Sequence, residues 1–199
     1  VIHKYVGEVD YVVCEGTNVA RPDATNQTER ELQQQFEEQF KANKGNVVYL
    51  SYTNIDRLFS LYHAALRAKR VFLVDAYQKK IMDIVTQKDS LWGKSELYQY
   101  GEYEPKVLKY DKGEFLVTDE FKDFLDKLGY VLVARATPRF GNLVERIPGE
   151  KQQYLSMWEG YVKEGAEAYN KDLANSLGED FKYMHTSGHS DMNSMREVF

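Results

Sequence analysis

The sequence predicts an α/β fold with a largely parallel, doubly wound sheet and helices on both of its faces. Two observations lead there. Short apolar, β-branched runs recur along the chain, as fully buried strands require. Segments with helical periodicity and capping residues separate them, and strand–helix alternation at this spacing builds parallel sheets.

The first run is Val9–Cys14, which reads as a buried strand. Thr28 and Glu31 make a capping box, and Leu32, Phe36 and Phe40 follow on one helical face. Asn46–Leu50 is the next strand, and Asn54 caps a helix with Ile55, Leu58, Leu61 and Ala65 inward. Arg70–Val74 is a further strand. From Lys88 to Gly113 the chain is rich in Tyr, Gly, Lys and Glu without a sustained period, and reads as a surface excursion with a short helix. Thr118 caps a third helix with Phe121, Phe124, Leu125 and Leu128 inward and Gly129 as its stop, leading into the strand Tyr130–Ala134. Gln152–Val162 reads as strand over its first half, Glu164–Leu177 as a helix ending at Gly178, and Phe181–Met184 as a last strand.

The composition is that of a globular protein: 199 residues, 43% hydrophobic and 29% charged. No apolar run of the roughly 18 residues needed to cross a bilayer occurs. The start, Val1-Ile2-His3-Lys4, is neither a signal peptide nor an initiator and reads as a trimmed end. A single cysteine, Cys14, excludes an internal disulfide and a cysteine-rich zinc module. Together these suggest a cytoplasmic protein without membrane contact. The net charge of −5 argues against a stand-alone nucleic-acid-binding module, because phosphate neutralisation drives such binding.

In open α/β sheets, functional residues gather beyond the carboxyl ends of strands. Three such ends stand out. Glu15 follows the first strand and precedes Gly16, where a carboxylate can enter a cleft or merely cap a turn. Ser51-Tyr52-Thr53-Asn54 opens a helix, so hydroxyls and free backbone N–H groups can hold an anion. Arg57, in that helix's first turn, opposes the helix dipole and so calls for an anion, either a ligand phosphate or a carboxylate such as Asp56. The third end, His185-Thr186-Ser187-Gly188-His189, holds two of the chain's 4 histidines around a Ser-Gly turn. No further cluster of ligand-type residues completes a metal site, and no His-x-His-x-Asp-His run, P-loop or Gly-x-Gly-x-x-Gly appears.

Taken in order, these three elements resemble the motifs of β-CASP proteins of the metallo-β-lactamase superfamily. Cys14–Asn18 is similar to the strand-end Glu-(Ser/Gly)-Thr signature, with Gly16 where Ser is commoner. Thr53–Arg57 resembles the Ser-Asn-x-x-Arg helix start of ribonuclease J-like members, and His185–Asp191 their His-x-Ser-Gly-His element. Ala134–Arg139 departs from the Thr-Gly-x-Gln-Gly-Glu-like loop of those relatives, which argues against recognition of a 5′ end.

The resemblance implies a β-CASP domain over residues 21–180. Residues 1–20 would close a truncated metallo-β-lactamase domain, and 181–199 would return toward it. It implies RNA as substrate and that domain of the same protein as partner, and it leaves room for a homodimer. Two zinc ions would be held mostly by residues outside this chain. Glu15 and His189 would be catalytic, His189 protonating the leaving oxygen. Thr53, Asn54, Arg57, His185 and Ser187 would contact substrate phosphates. The expected function is substrate clamping in a zinc-dependent RNA nuclease, inactive as a fragment. The alternatives are a hydrolase of another phosphoester and a non-catalytic flavodoxin-like nucleotide-binding module.

Overall fold

The computed structural model describes residues 7–8, 10–11, 13, 27–87, 89, 92–187 and 196. The chain divides into two units, Glu29–His185 and the pair Val1–Thr28 with Thr186–Phe199. In the second unit the Thr186 hydroxyl donates to the Gln27 carbonyl, joining its two segments. The buried strand expected over Val9–Cys14 is not borne out where it is described: Asp10, Tyr11 and Val13 are in no strand, and Tyr11 and Val13 are 91% and 99% exposed, while Val9, Val12 and Cys14 lie outside the described residues.

The larger unit is built on a six-stranded sheet. Its strands are β1 (Gly45–Tyr49), β2 (Val71–Val74), β3 (Lys106–Val107), β6 (Tyr130–Ala134), β7 (Lys151–Leu155) and β8 (Lys182–Tyr183). They lie in the order β3-β2-β6-β1-β7-β8, and every pairing is parallel. A hairpin of β4 (Tyr110–Asp111) and β5 (Glu114–Phe115) stands beyond the carboxyl end of β3. The helices are α1 (Glu29–Ala42), α2 (Ile55–Arg67), α3 (Ala76–Thr86), α4 (Asp119–Leu128), α5 (Pro138–Arg146) and α6 (Lys171–Ser176).

Successive strand residues face opposite sides of a sheet, so the central strands feed two cores. On one face Val48, Val74 and Val133 pack with Phe36, Phe40, Leu58, Phe59 and Met82 from α1, α2 and α3. On the other, Val47, Leu73 and Leu132 pack with Leu125, Phe140, Leu143 and Leu173 from α4, α5 and α6. The doubly wound expectation therefore holds.

Local chemistry explains the boundaries. Asn54 accepts from the Arg57 N–H at 3.1 Å and starts α2, as predicted. Thr118 does the same for Phe121 N–H at 3.2 Å, and Gly129, at φ +70°, ends α4. A Cβ at Gly129 would also lie 2.8 Å from the Lys44 carbonyl oxygen.

Three further expectations need correction. Leu128 is exposed, because α4 ends as its apolar stripe turns outward. The helix expected over 164–177 forms only at Lys171–Ser176: Gly165 adopts φ +84°, and Asn170 caps a fresh start at the Leu173 N–H. The excursion over 88–113 contributes strand β3, held to β2 by Leu108 N–H donating to the Val74 carbonyl at 2.9 Å. Helices α3 and α5 carry no sequence expectation, yet each has an evident cap. Asp75 and Gln78 form a complete capping box, and Thr137 precedes Pro138 at the first position of α5.

Candidate functional site at the carboxyl edge of the sheet

Crevices open beyond a parallel sheet where neighbouring strands send their chains over opposite faces. That happens at three adjoining places here, β2/β6, β6/β1 and β1/β7. From β1 the chain runs to α2 on the first face, and from its neighbour β7 to α6 on the second. From β2 it runs to α3 on the first face, and from its neighbour β6 to α5 on the second. Polar clusters occupy the two outer places, β1/β7 and β2/β6.

At the β1/β7 end the centre is Arg57, only 1% exposed. Its Nε and Nη2 donate to the two carboxylate oxygens of Glu29 at 2.6 and 3.0 Å, a bidentate pair. Its Nη1 donates to Ser156 Oγ at 2.5 Å and lies 3.4 Å from His185 Nδ1. Ser156 Oγ donates in turn to the Met184 carbonyl at 2.7 Å. A guanidinium has no acceptor, so Nδ1 of His185 takes the accepting role toward it. Burial holds His185 below its usual pKa and the Arg57 charge adds to this, while a hydrogen bond with the Ser156 backbone and the Glu29 charge oppose. Asp56, the neighbouring carboxylate, binds the Tyr98 hydroxyl instead. Burial first and that bond second push Tyr98 up to about 12.

The predicted site residues thus divide. Arg57, Asn54 and His185 belong to one connected cluster, with Asn54 engaged as the cap of α2. Thr53 is exposed, its hydroxyl 2.9 Å from that of exposed Ser51. Ser187 is half-buried in the smaller unit. Glu15 and His189 lie outside the described residues. The pattern reading passed over Glu29 and Ser156. Glu29 is the first residue of an acidic helix start and Ser156 the first residue after a strand, positions too common to be diagnostic alone.

At the β2/β6 end, Asp75 is buried and does two things. Its Oδ1 accepts from the Gln78 N–H at 2.8 Å to cap α3, and its Oδ2 accepts from Arg135 Nη2 at 2.5 Å. The Arg135 guanidinium lies 4.7 Å over the ring of Tyr52. Burial, with the Asp75 charge second, raises the Tyr52 phenol far above its ordinary value despite the opposing charge of Arg135.

Among the described residues, no group of three or more His, Cys, Asp and Glu side chains is placed to hold a metal ion. Among them, too, no helix is long and apolar enough to cross a membrane. No protein-family model matches this chain, and no curated protein matches it.

Proposed function

We propose that this chain is the substrate-clamping, β-CASP-type part of a zinc-dependent hydrolase of the metallo-β-lactamase fold, acting on RNA. One observation carries the reading. Two of the three motif elements, read separately from sequence, meet at the carboxyl edge: Arg57 and His185, 128 positions apart, stand 3.4 Å from each other.

Phosphate oxygens are met by the exposed hydroxyls of Ser51 and Thr53, since the Asn54, Ile55 and Arg57 N–H groups at the start of α2 already donate to the Ser51 and Thr53 carbonyls and to Asn54 Oδ1. Arg57 is a positioning residue. With its fork held by Glu29 and Ser156, it ties α1, α2, β7 and the end of β8 together and fixes how His185 is presented. The described residues do not fit a zinc site, so in this reading the metal ligands come from elsewhere in the protein. Glu15 and His189 keep the catalytic roles that the resemblance implies.

A second reading, hydrolysis of a smaller phosphoester, is favoured by the net charge of −5 and by the prior engagement of Arg57. The intact gene product, stripped of metal and reloaded with zinc, should be offered labelled RNA and bis(p-nitrophenyl) phosphate. RNA cleavage that chelation abolishes and zinc restores is expected. Hydrolysis of the small diester alone would favour the second reading, and inertness toward both would end the hydrolase reading.

A further inference from the structure

Arg135 is the middle of a ladder of flat groups that runs along the carboxyl edge. On one side it lies over Tyr52, which stacks on Tyr77 with centroids 6.2 Å apart and planes at 24°. On the other side it lies 5.6 Å over Phe140, which meets Phe115 edge-on at 4.9 Å. Phe115 contacts Tyr110 of the hairpin at 4.4 Å, and Arg139 lies 5.2 Å over the Tyr110 ring.

The inner rungs Tyr52, Phe140 and Phe115 are buried, whereas Tyr77, Arg135, Tyr110 and Arg139 are exposed. Packing explains the inner rungs and the Asp75 ion pair accounts for Arg135, which leaves Tyr77, Tyr110 and Arg139 as exposed outer planes. Tyr77 is 56% exposed, so part of its ring is open to a partner. The planes are also set in advance: the buried carboxylate of Asp75 holds the Arg135 fork, and Tyr52 supports Tyr77. Pre-set planes reduce the ordering entropy that a partner must overcome.

We propose that this ladder is a stacking platform for single-stranded RNA, with bases on Tyr77 and, as Arg139 turns from the Tyr110 ring to a phosphate, on Tyr110, and with the intervening phosphates met by Arg135 and Arg139. The inference rests on the RNA reading above and extends it to residues outside the three motifs. A single strand is the fitting occupant because its bases offer open π-faces, which a duplex hides. The charge pattern agrees. The hairpin carries exposed Asp111 and Glu114 beside Lys109 and Lys112, so it presents no broad basic field to attract a duplex backbone. Recognition falls to stacking and to the two guanidinium groups. The salt dependence should then be shallow, with a logarithmic slope near −1.4 for about two phosphates on a single strand.

Fluorescence anisotropy of a labelled oligouridine with the full chain tests this, using the exposed-site variants Tyr110→Ala and Arg139→Glu. Lys44→Glu, on the opposite edge of the sheet, is the control, and melting curves verify that each variant folds. Each ladder variant is expected to bind about tenfold or more weakly, with the control unchanged and a duplex of the same length competing poorly. Binding by wild type that both variants retain would overturn the platform while leaving the RNA reading intact. Loss with Arg139→Glu alone would overturn the stacking. Failure of the wild-type chain to bind any RNA would overturn the platform together with RNA as its partner.

Discussion

The carboxylate of Glu29 grips the guanidinium of Arg57 at 2.6 and 3.0 Å, joining the first residue of α1 to the first turn of α2. The two partners differ in burial, with side-chain exposures of 29% for Glu29 and 1% for Arg57. Removing one is therefore not equivalent to removing the other.

Glu29→Gln leaves a buried guanidinium without its counter-charge and should cost about 2–4 kcal/mol, near the range for a broken buried pair. Arg57→Met removes the buried charge and lets Glu29 rehydrate, so about 1–2 kcal/mol is expected, from lost hydrogen bonds to Ser156 and His185. Urea denaturation of both variants checks the order. Equal costs would mean that Glu29 does not compensate Arg57.

Acid should weaken the fold through two histidines. Burial lowers the pKa of both His63, whose Nε2 donates to the Leu97 carbonyl at 2.8 Å, and His185. A base whose folded pKa is depressed stays neutral while the unfolded chain takes up a proton. Stability is thus complete above the unfolded value of about 6.5 and falls as pH drops below it toward the folded values. Melting temperatures at pH 8 and pH 5.5 for wild type and the double variant His63→Gln/His185→Gln should show a smaller acid loss in the variant. An identical loss would place the acid sensitivity elsewhere.

Asp75 is the buried end of its ion pair, so loss of its partner should be the costlier change. Asp75→Ala removes the α3 cap but lets the 42% exposed Arg135 rehydrate, for about 1–2 kcal/mol. Arg135→Ala leaves the 2% exposed Asp75 carboxylate without its counter-charge and should cost about 2–3 kcal/mol. Thermal melts of the two variants decide the order.

Gly45 opens β1 where a Cβ would stand 2.5 Å from the Glu150 carbonyl oxygen and 2.9 Å from the Tyr130 hydroxyl. The clash with backbone cannot be relieved by a rotamer change, so Gly45→Ala should destabilise by about 1–3 kcal/mol. A neutral melt would show that β1 and β7 can separate at this end.

The layered plan was legible because β1, β2 and β6 are buried on both faces and so read as continuous apolar runs. Strand β7 is KQQYL, apolar only at its end, and its first half rests in the sheet on hydrogen bonding more than on side-chain burial. Helix α3 was missed because its pattern is interrupted by Lys79 and Lys80, although the Asp75–Gln78 box marks its start. The chemistry of Arg57 was only half legible. Its position against the helix dipole called for an anion, and the anion in place is Glu29, which no local pattern could pair with it across 28 positions. The Arg135 ladder depends on contacts among four separate segments, the turn after β1, the start of α3, the end of β6 with α5, and the hairpin, which periodicity does not encode.

The proposed function requires that the element beginning at His185 serve bond cleavage. Its most direct test is single-turnover cleavage of end-labelled RNA by the intact, zinc-loaded gene product, wild type against His189→Ala, with RNA affinity measured alongside. A cleavage rate lowered about 100-fold or more at unchanged affinity is expected, because a proton donor acts only in the transition state. A wild-type rate in the variant would contradict the claim.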